Sequence, residues 1–155
     1  MAGAAGAWAW HHTSVVVDDI DRAVAFHRDG LGFSISLEAR GMAAPIQQML
    51  GLSDIRCDLV QGSSPISRHV LEFIQFYDIP ANADRRLPIW PGRSHIAFLV
   101  PDLDAAVGAI TTAGGRPVGE ITDFPEGPAI YCWAPGGGVI EFEQWREVPS
   151  FENRR

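Results

Sequence analysis

Several things are missing from this chain. No run of about 18 apolar residues occurs among its 155 residues, so neither a membrane-spanning helix nor a membrane partner is expected. There is no excess of positive charge: the formal net charge is −7, and non-specific nucleic-acid binding needs a basic footprint. Only two cysteines occur, Cys57 and Cys132, too few for a disulfide framework. Both sit in strand-like apolar runs and read as buried, reduced thiols. The Ala/Gly/Trp-rich opening, residues 1–10, has no basic n-region of a signal peptide, so a cytoplasmic protein is expected. What remains is 46% hydrophobic and 20% charged residues, which is globular composition. The length suits one ordinary domain or two half-size modules sharing a core.

The chain says one thing twice. His12-Thr-Ser-Val-Val-Val-Asp-Asp-Ile-Asp reads against His95-Ile-Ala-Phe-Leu-Val-Pro-Asp-Leu-Asp at an offset of 83 residues, without a gap. Val70-Leu-Glu-Phe-Ile-Gln-Phe76 reads against Val139-Ile-Glu-Phe-Glu-Gln-Trp145 at an offset of 69. The first copy is therefore 14 residues longer between its His and its Glu. A repeat of this kind dictates the architecture.

Local signals give each copy the same order. Residues 13–17 are β-branched and predict a strand. Asp18 and Asp19 stand where an N-cap belongs, ahead of Ile20, Ala23, Val24 and His27 at helical spacing, and Gly30 and Gly32 close that helix. Strands are expected over 33–37, 57–61 and 68–76. The second copy repeats this with a strand at 96–100 and a helix through Leu103, Ala106, Val107 and Ile110. Strands at 116–121, 129–134 and 139–145 follow. The extra length, residues 38–56, centres on one or two helical turns from Pro45, a tolerated first helical position. The proline-broken stretch 77–93 separates the copies. The boundaries expected are a β-α-β-β-β module over 10–78, a linker over 79–93 and a second module over 94–146. The polar end, 146–155, is expected to fray.

Strand side chains alternate faces. Leu71, Phe73, Ile140 and Phe142 then share an apolar face that can receive each module's helix. Glu72 and Glu141 take the other face, beside Val70, Ile74, Val139 and Trp145. A carboxylate in such a setting is costly unless it is paired or on a metal. His12 and His95 open their strands and can point to that same face. Two imidazoles and two carboxylates form a tetrad for one divalent transition ion (Fe, Mn, Co, Ni or Zn) with positions left for water or substrate. His11 is out of register by one residue and is expected to face away. His27 and His69 have no counterpart in the other copy and read as surface or helix-packing residues.

The motif His-x-x-x-x-Val-x-Asp-hydrophobic, followed by a helix, Leu31-Gly-Phe33 and a strand with Leu71-Glu-Phe73, all repeated, resembles the vicinal oxygen chelate superfamily. Its relatives include glyoxalase I, methylmalonyl-CoA epimerase, extradiol dioxygenases and the fosfomycin- and bleomycin-resistance proteins. The resemblance covers residues 10–146. It implies an α+β fold, in which paired βαβββ modules curl their sheets into a cup around one metal held by His12, Glu72, His95 and Glu141. The His/Glu/His/Glu set is similar to that of glyoxalase I, whereas epimerases of the family commonly carry Gln where Glu72 stands. Glyoxalase I also has an Arg on its first strand for glutathione. Here that strand reads Thr13-Ser-Val-Val-Val17, which makes glutathione a poor fit. The family usually has Tyr or Trp at His27.

The chemistry expected from the resemblance and the ligand set is proton transfer by an isomerase, epimerase or lyase. The ion chelates two neighbouring oxygens of a small carbonyl substrate and stabilises an enolate or enediolate. Glu72 or Glu141 acts as the base, with Glu143 as a more distant candidate. Ring-cleaving Fe(II) dioxygenation and non-catalytic binding of a drug are the alternatives. A homodimer is expected, because relatives pair across exposed sheet edges. The 38–56 segment is expected to place Met49 and Leu50 over the cavity as a lid, or else to pack as an outer loop.

Overall fold

The computed structural model describes residues 8–67 and 69–147; the expected fraying of 148–155 lies outside them. Nine strands form one mixed sheet, in the order β2-β3-β4-β1-β5-β9-β8-β6, with β7 paired to β8. They are β1 (Ala9–Val16), β2 (Ser34–Met42), β3 (Arg56–Ser63), β4 (Val70–Tyr77), β5 (Ser94–Leu99), β6 (Arg116–Pro117), β7 (Thr122–Asp123), β8 (Pro128–Trp133) and β9 (Val139–Glu143). The helices are α1 (Ile20–Ala25), continued by a π-helical turn over Phe26–Gly30, then α2 (Ala44–Leu50) and α3 (Leu103–Thr112).

The repeat becomes a two-fold arrangement. At the centre β1 and β5 run antiparallel, and Thr13 pairs with Ile96, its own counterpart in the other copy. Outside them β4 pairs parallel to β1 and β9 parallel to β5, with Ser14 opposite Glu72 and Ala97 opposite Glu141. The helix starts correspond as well. Asp19 accepts the Arg22 N–H and Asp102 the Ala105 N–H, both at 2.9 Å, the side-chain cap that non-helical Asp supplies. The next donors are taken by the repeat's glutamines: Ile20 N–H donates to Gln75 Oε1 and Leu103 N–H to Gln144 Oε1. Each helix start is thereby tied to the last strand of its own half.

Side-chain alternation separates the two faces as expected. On one face Ile20 and Val24 of α1 pack on Val60 and Phe73, and Leu103, Ala106 and Ile110 of α3 pack on Ile130 and Phe142. On the other, concave face a third cluster joins Val16, Ile74, Cys57, Tyr131 and Val139 to Ile46, Met49 and Leu50 of α2. Leu87 and Ile89 from the segment between the halves also belong to it. That segment forms neither helix nor strand, yet Ile89 is fully buried. It is part of the core and does more than connect.

Two local expectations change. The single strand over 116–121 is instead two short strands with Gly119 between them. The chain turns there to meet α2: Glu120 N–H donates to the Gln48 carbonyl, and Gln48 Nε2 donates to the Ile121 carbonyl. A Cβ on Gly119 would collide with the Gln48 and Met49 carbonyls, so only glycine permits this approach. The 38–56 segment therefore crosses from the first half to the second on the concave side, and it is not an outer loop. Cys57 and Cys132 are both buried and free, as expected, and burial pushes their thiols up to about 12 and about 11.

Candidate metal centre

The two central strands bring His12 and His95 together on the concave face, with Nε2 atoms 3.2 Å apart. The flanking strands add the carboxylates. His12 Nε2 lies 3.4 Å from Glu72 Oε1 and 3.5 Å from Glu141 Oε2. His95 Nε2 lies 2.9 Å from Glu141 Oε2 and 3.7 Å from Glu72 Oε1. All four residues are buried, Glu141 the least so at 8% exposure. The sequence places its four candidate ligands apart in the chain, and the fold gathers them.

The donor set can be tested against an ion. Bonds of about 2.1 Å to one centre put neighbouring ligand atoms about 3.0 Å apart at right angles and about 3.4 Å apart in a tetrahedron. The separations here, from 2.9 to 3.7 Å, match the edges of such a polyhedron. Two carboxylates also balance the charge of a divalent ion, and imidazole with carboxylate suits a transition metal. His12, Glu72, His95 and Glu141 fit the group.

Each of the four groups acts on the others' charge. Burial alone would depress the His12 imidazolium, but Glu72 and Glu141 outweigh it and hold its pKa well above the usual imidazole value. Burial raises Glu72, and the charge and hydrogen bond of His12 more than reverse this, leaving it lowered. Glu141 goes the same way: burial opposes ionisation, yet bonds from His12 and His95 bring it down to about 2. Tyr131, buried with its ring edge-on to His95 at 4.9 Å, is pushed well above the usual phenol value by burial and then by Glu141.

Around the four groups lie partners that the repeat does not announce. Ser14 Oγ is 2.7 Å from His95 Nδ1. Gln61 Nε2 donates to Glu72 Oε2 at 2.6 Å. Ser14 shares the strand parity of His12, so its face was readable. Gln61 faces Glu72 only through the β3–β4 register, which no sequence pattern announces.

His11 differs from expectation. A β-bulge between Trp10 and His12 inserts one extra residue against β5, and a bulge re-aims side chains. His11 Nδ1 consequently lies 2.8 Å from His12 Nδ1 and 3.1 Å from Glu143 Oε1. His27 behaves as expected: its Nδ1 bonds the Ala23 carbonyl and its ring packs on Phe73. His69 is exposed. Among the described residues no helix is long and apolar enough to cross a membrane.

A family model described as the Glyoxalase/Bleomycin resistance protein/Dioxygenase superfamily matches residues 9–142. No curated protein matches the chain. Among solved structures, it is similar to methylmalonyl-CoA epimerase from Mycobacterium tuberculosis, at 23% identity over 93% of this chain and 91% of that one, with a TM-score of 0.64. A variant of Streptomyces coelicolor methylmalonyl-CoA epimerase in complex with 2-nitronate-propionyl-CoA aligns at 19% identity over 90% of this chain and 98% of that one, with a TM-score of 0.58. A mutant 4-hydroxymandelate synthase from Streptomyces coelicolor aligns at 16% identity over 93% of this chain and 50% of that one, with a TM-score of 0.63. At these identities the likeness establishes the fold, an open curved sheet of the vicinal oxygen chelate type.

Proposed function

Since the chain belongs to the glyoxalase/bleomycin resistance protein/dioxygenase superfamily, we propose that it is a divalent-metal-dependent isomerase or lyase acting by proton transfer on a small carbonyl substrate. The observation that carries this reading is the convergence of His12, His95, Glu72 and Glu141 at polyhedral separations. A divalent transition ion held there supplies Lewis-acid stabilisation of the negative charge that develops on two neighbouring substrate oxygens. Four protein ligands leave few positions for both a catecholate and O₂, which favours proton chemistry over oxygenation.

The two carboxylates take different parts. Glu72 has its second oxygen fastened by Gln61, and its side chain is 3% exposed. Glu141 has no such amide, and its side chain is 11% exposed. Glu141 is therefore the base that removes and returns the substrate proton, while Glu72 holds its place. Tyr131 and the apolar wall of Val139, Met49 and Leu50 keep bulk water from that proton. The protein works as a homodimer in the cytoplasm on this reading.

The test is proton exchange. Metal-loaded protein in D₂O is incubated with 2-oxo acids, 2-hydroxy ketones and α-substituted acyl thioesters, followed by proton NMR with an oxygen electrode in parallel. The expected result is exchange of the hydrogen next to a carbonyl with no oxygen consumed. Oxygen uptake without exchange would transfer the reading to dioxygenation.

A further inference from the structure

An imidazole that offers one nitrogen to a metal carries its proton on the other, and the group accepting that proton fixes ring and tautomer. His95 has a hydroxyl for this purpose, Ser14 Oγ at 2.7 Å from Nδ1. The counterpart of Ser14 in the second half is Ala97, which has none, so His12 is served differently. The bulge seats His11 beside it, and Glu143 Oε1 faces both rings, 3.1 Å from His11 Nδ1 and 3.5 Å from His12 Nδ1. The other oxygen of Glu143 is occupied: Trp145 Nε1–H donates to Oε2 at 2.6 Å. The Trp145 ring also stands edge-on to His11 at 4.8 Å.

We propose that Glu143, anchored by Trp145 and acting together with His11, is the positioning residue for His12. One proton fits between the two Nδ1 atoms at 2.8 Å, and a second does not. Glu143 as a carboxylate only accepts, so it draws a proton onto the Nδ1 side and leaves Nε2 directed at Glu72, Glu141 and His95. A carboxylate behind a ligating imidazole also makes that ligand more basic. His12 is thus the stronger imidazole donor of the pair, and Glu143 serves the ligand and is not a second base. The bulge gives His11 a purpose, since without it His11 would leave this face.

This inference rests on the metal reading above, and its test separates the two. Full-length protein stripped with chelator is titrated with Co²⁺, reading affinity and the visible d–d spectrum, with long-range ¹H–¹⁵N NMR reporting the His12 tautomer. Glu143→Gln should weaken Co²⁺ binding by ~10- to 100-fold, the range for losing such a partner, and alter the spectrum. Glu143→Asp should recover part of the loss. Trp145→Phe keeps the ring, removes the donor, and should weaken binding by a smaller factor. Ser14→Ala should affect His95 and leave the His12 tautomer alone. If the wild type takes up no Co²⁺, the metal reading itself fails. If the wild type binds but Glu143→Gln and Trp145→Phe match it in affinity and spectrum, Glu143 does not position His12. Melting of the stripped variants identifies any that fail to fold, and Trp145→Phe then decides the matter.

Discussion

The two halves of the molecule agree in their ligands and disagree in everything that touches those ligands from behind. His12 and His95, Glu72 and Glu141, the Asp19 and Asp102 caps, and the Gln75 and Gln144 bonds all correspond. Behind His95 is Ser14, and behind His12 are His11 and Glu143. Gln61 lies opposite Glu72, and Tyr131 lies opposite Glu141. The first half has a nine-residue β2, where the second has only the two-residue β6. Equal ligands hold an ion at the centre. Unequal surroundings divide the labour, with a fixed carboxylate on one side and a freer one on the other.

The largest effect should separate the carboxylates. Glu141→Gln is expected to lower proton-exchange turnover by ~10²- to 10⁴-fold, the usual share of a general base, and Glu72→Gln by clearly less once metal is saturating. Equal losses would erase the division of labour. Next comes the seam where α2 meets the second half. Met49 is 2% exposed, and Met49→Ala should cost about 2–5 kcal/mol. Gly119→Ala, forced against backbone carbonyls, should cost about 1–3 kcal/mol. Denaturant melts measure both, and an unchanged melt would mean that α2 is not seated there. The smallest effect checks the symmetry itself: Asp19→Ala and Asp102→Ala should each cost about 1 kcal/mol, and a large inequality would show that the caps are not equivalent.

Acidity sharpens the comparison in another way. His12 titrates above its ordinary value of 6.5, so its stabilising charge is present below pH 6.5 and is lost as pH rises through the raised value. Glu141 titrates near 2 and below its ordinary 4.5, so its contribution is present above pH 4.5 and is lost as pH falls towards 2. Chelator-treated protein should therefore melt highest between about pH 4.5 and 6.5. Metal uptake runs the other way, because an ion must displace the His12 proton. Affinity should fall as pH is lowered, measurable by Co²⁺ titration at several pH values.

Much of this was legible from the residues. The repeat and strand parity identified His12, Glu72, His95 and Glu141, and Asp19 and Asp102 announced their helices. The surroundings were not legible, for physical reasons. A bulge changes parity without a sequence signature in Trp10-His11-His12, so His11 was assigned to the wrong face. Gln61 depends on pairing between distant strands, and the burial of Leu87 and Ile89 depends on a cup that exists only after both halves close. The break of the 116–121 strand at Gly119 answers to α2, some 70 residues away.

The central claim is one metal shared by two halves, and elemental analysis of purified protein tests it most directly. The account predicts one divalent transition ion per chain in the wild type, and loss of that ion in both His12→Ala and His95→Ala, which take one ligand from each copy. Full occupancy retained in either variant, or two ions per chain with each variant losing one, would contradict it.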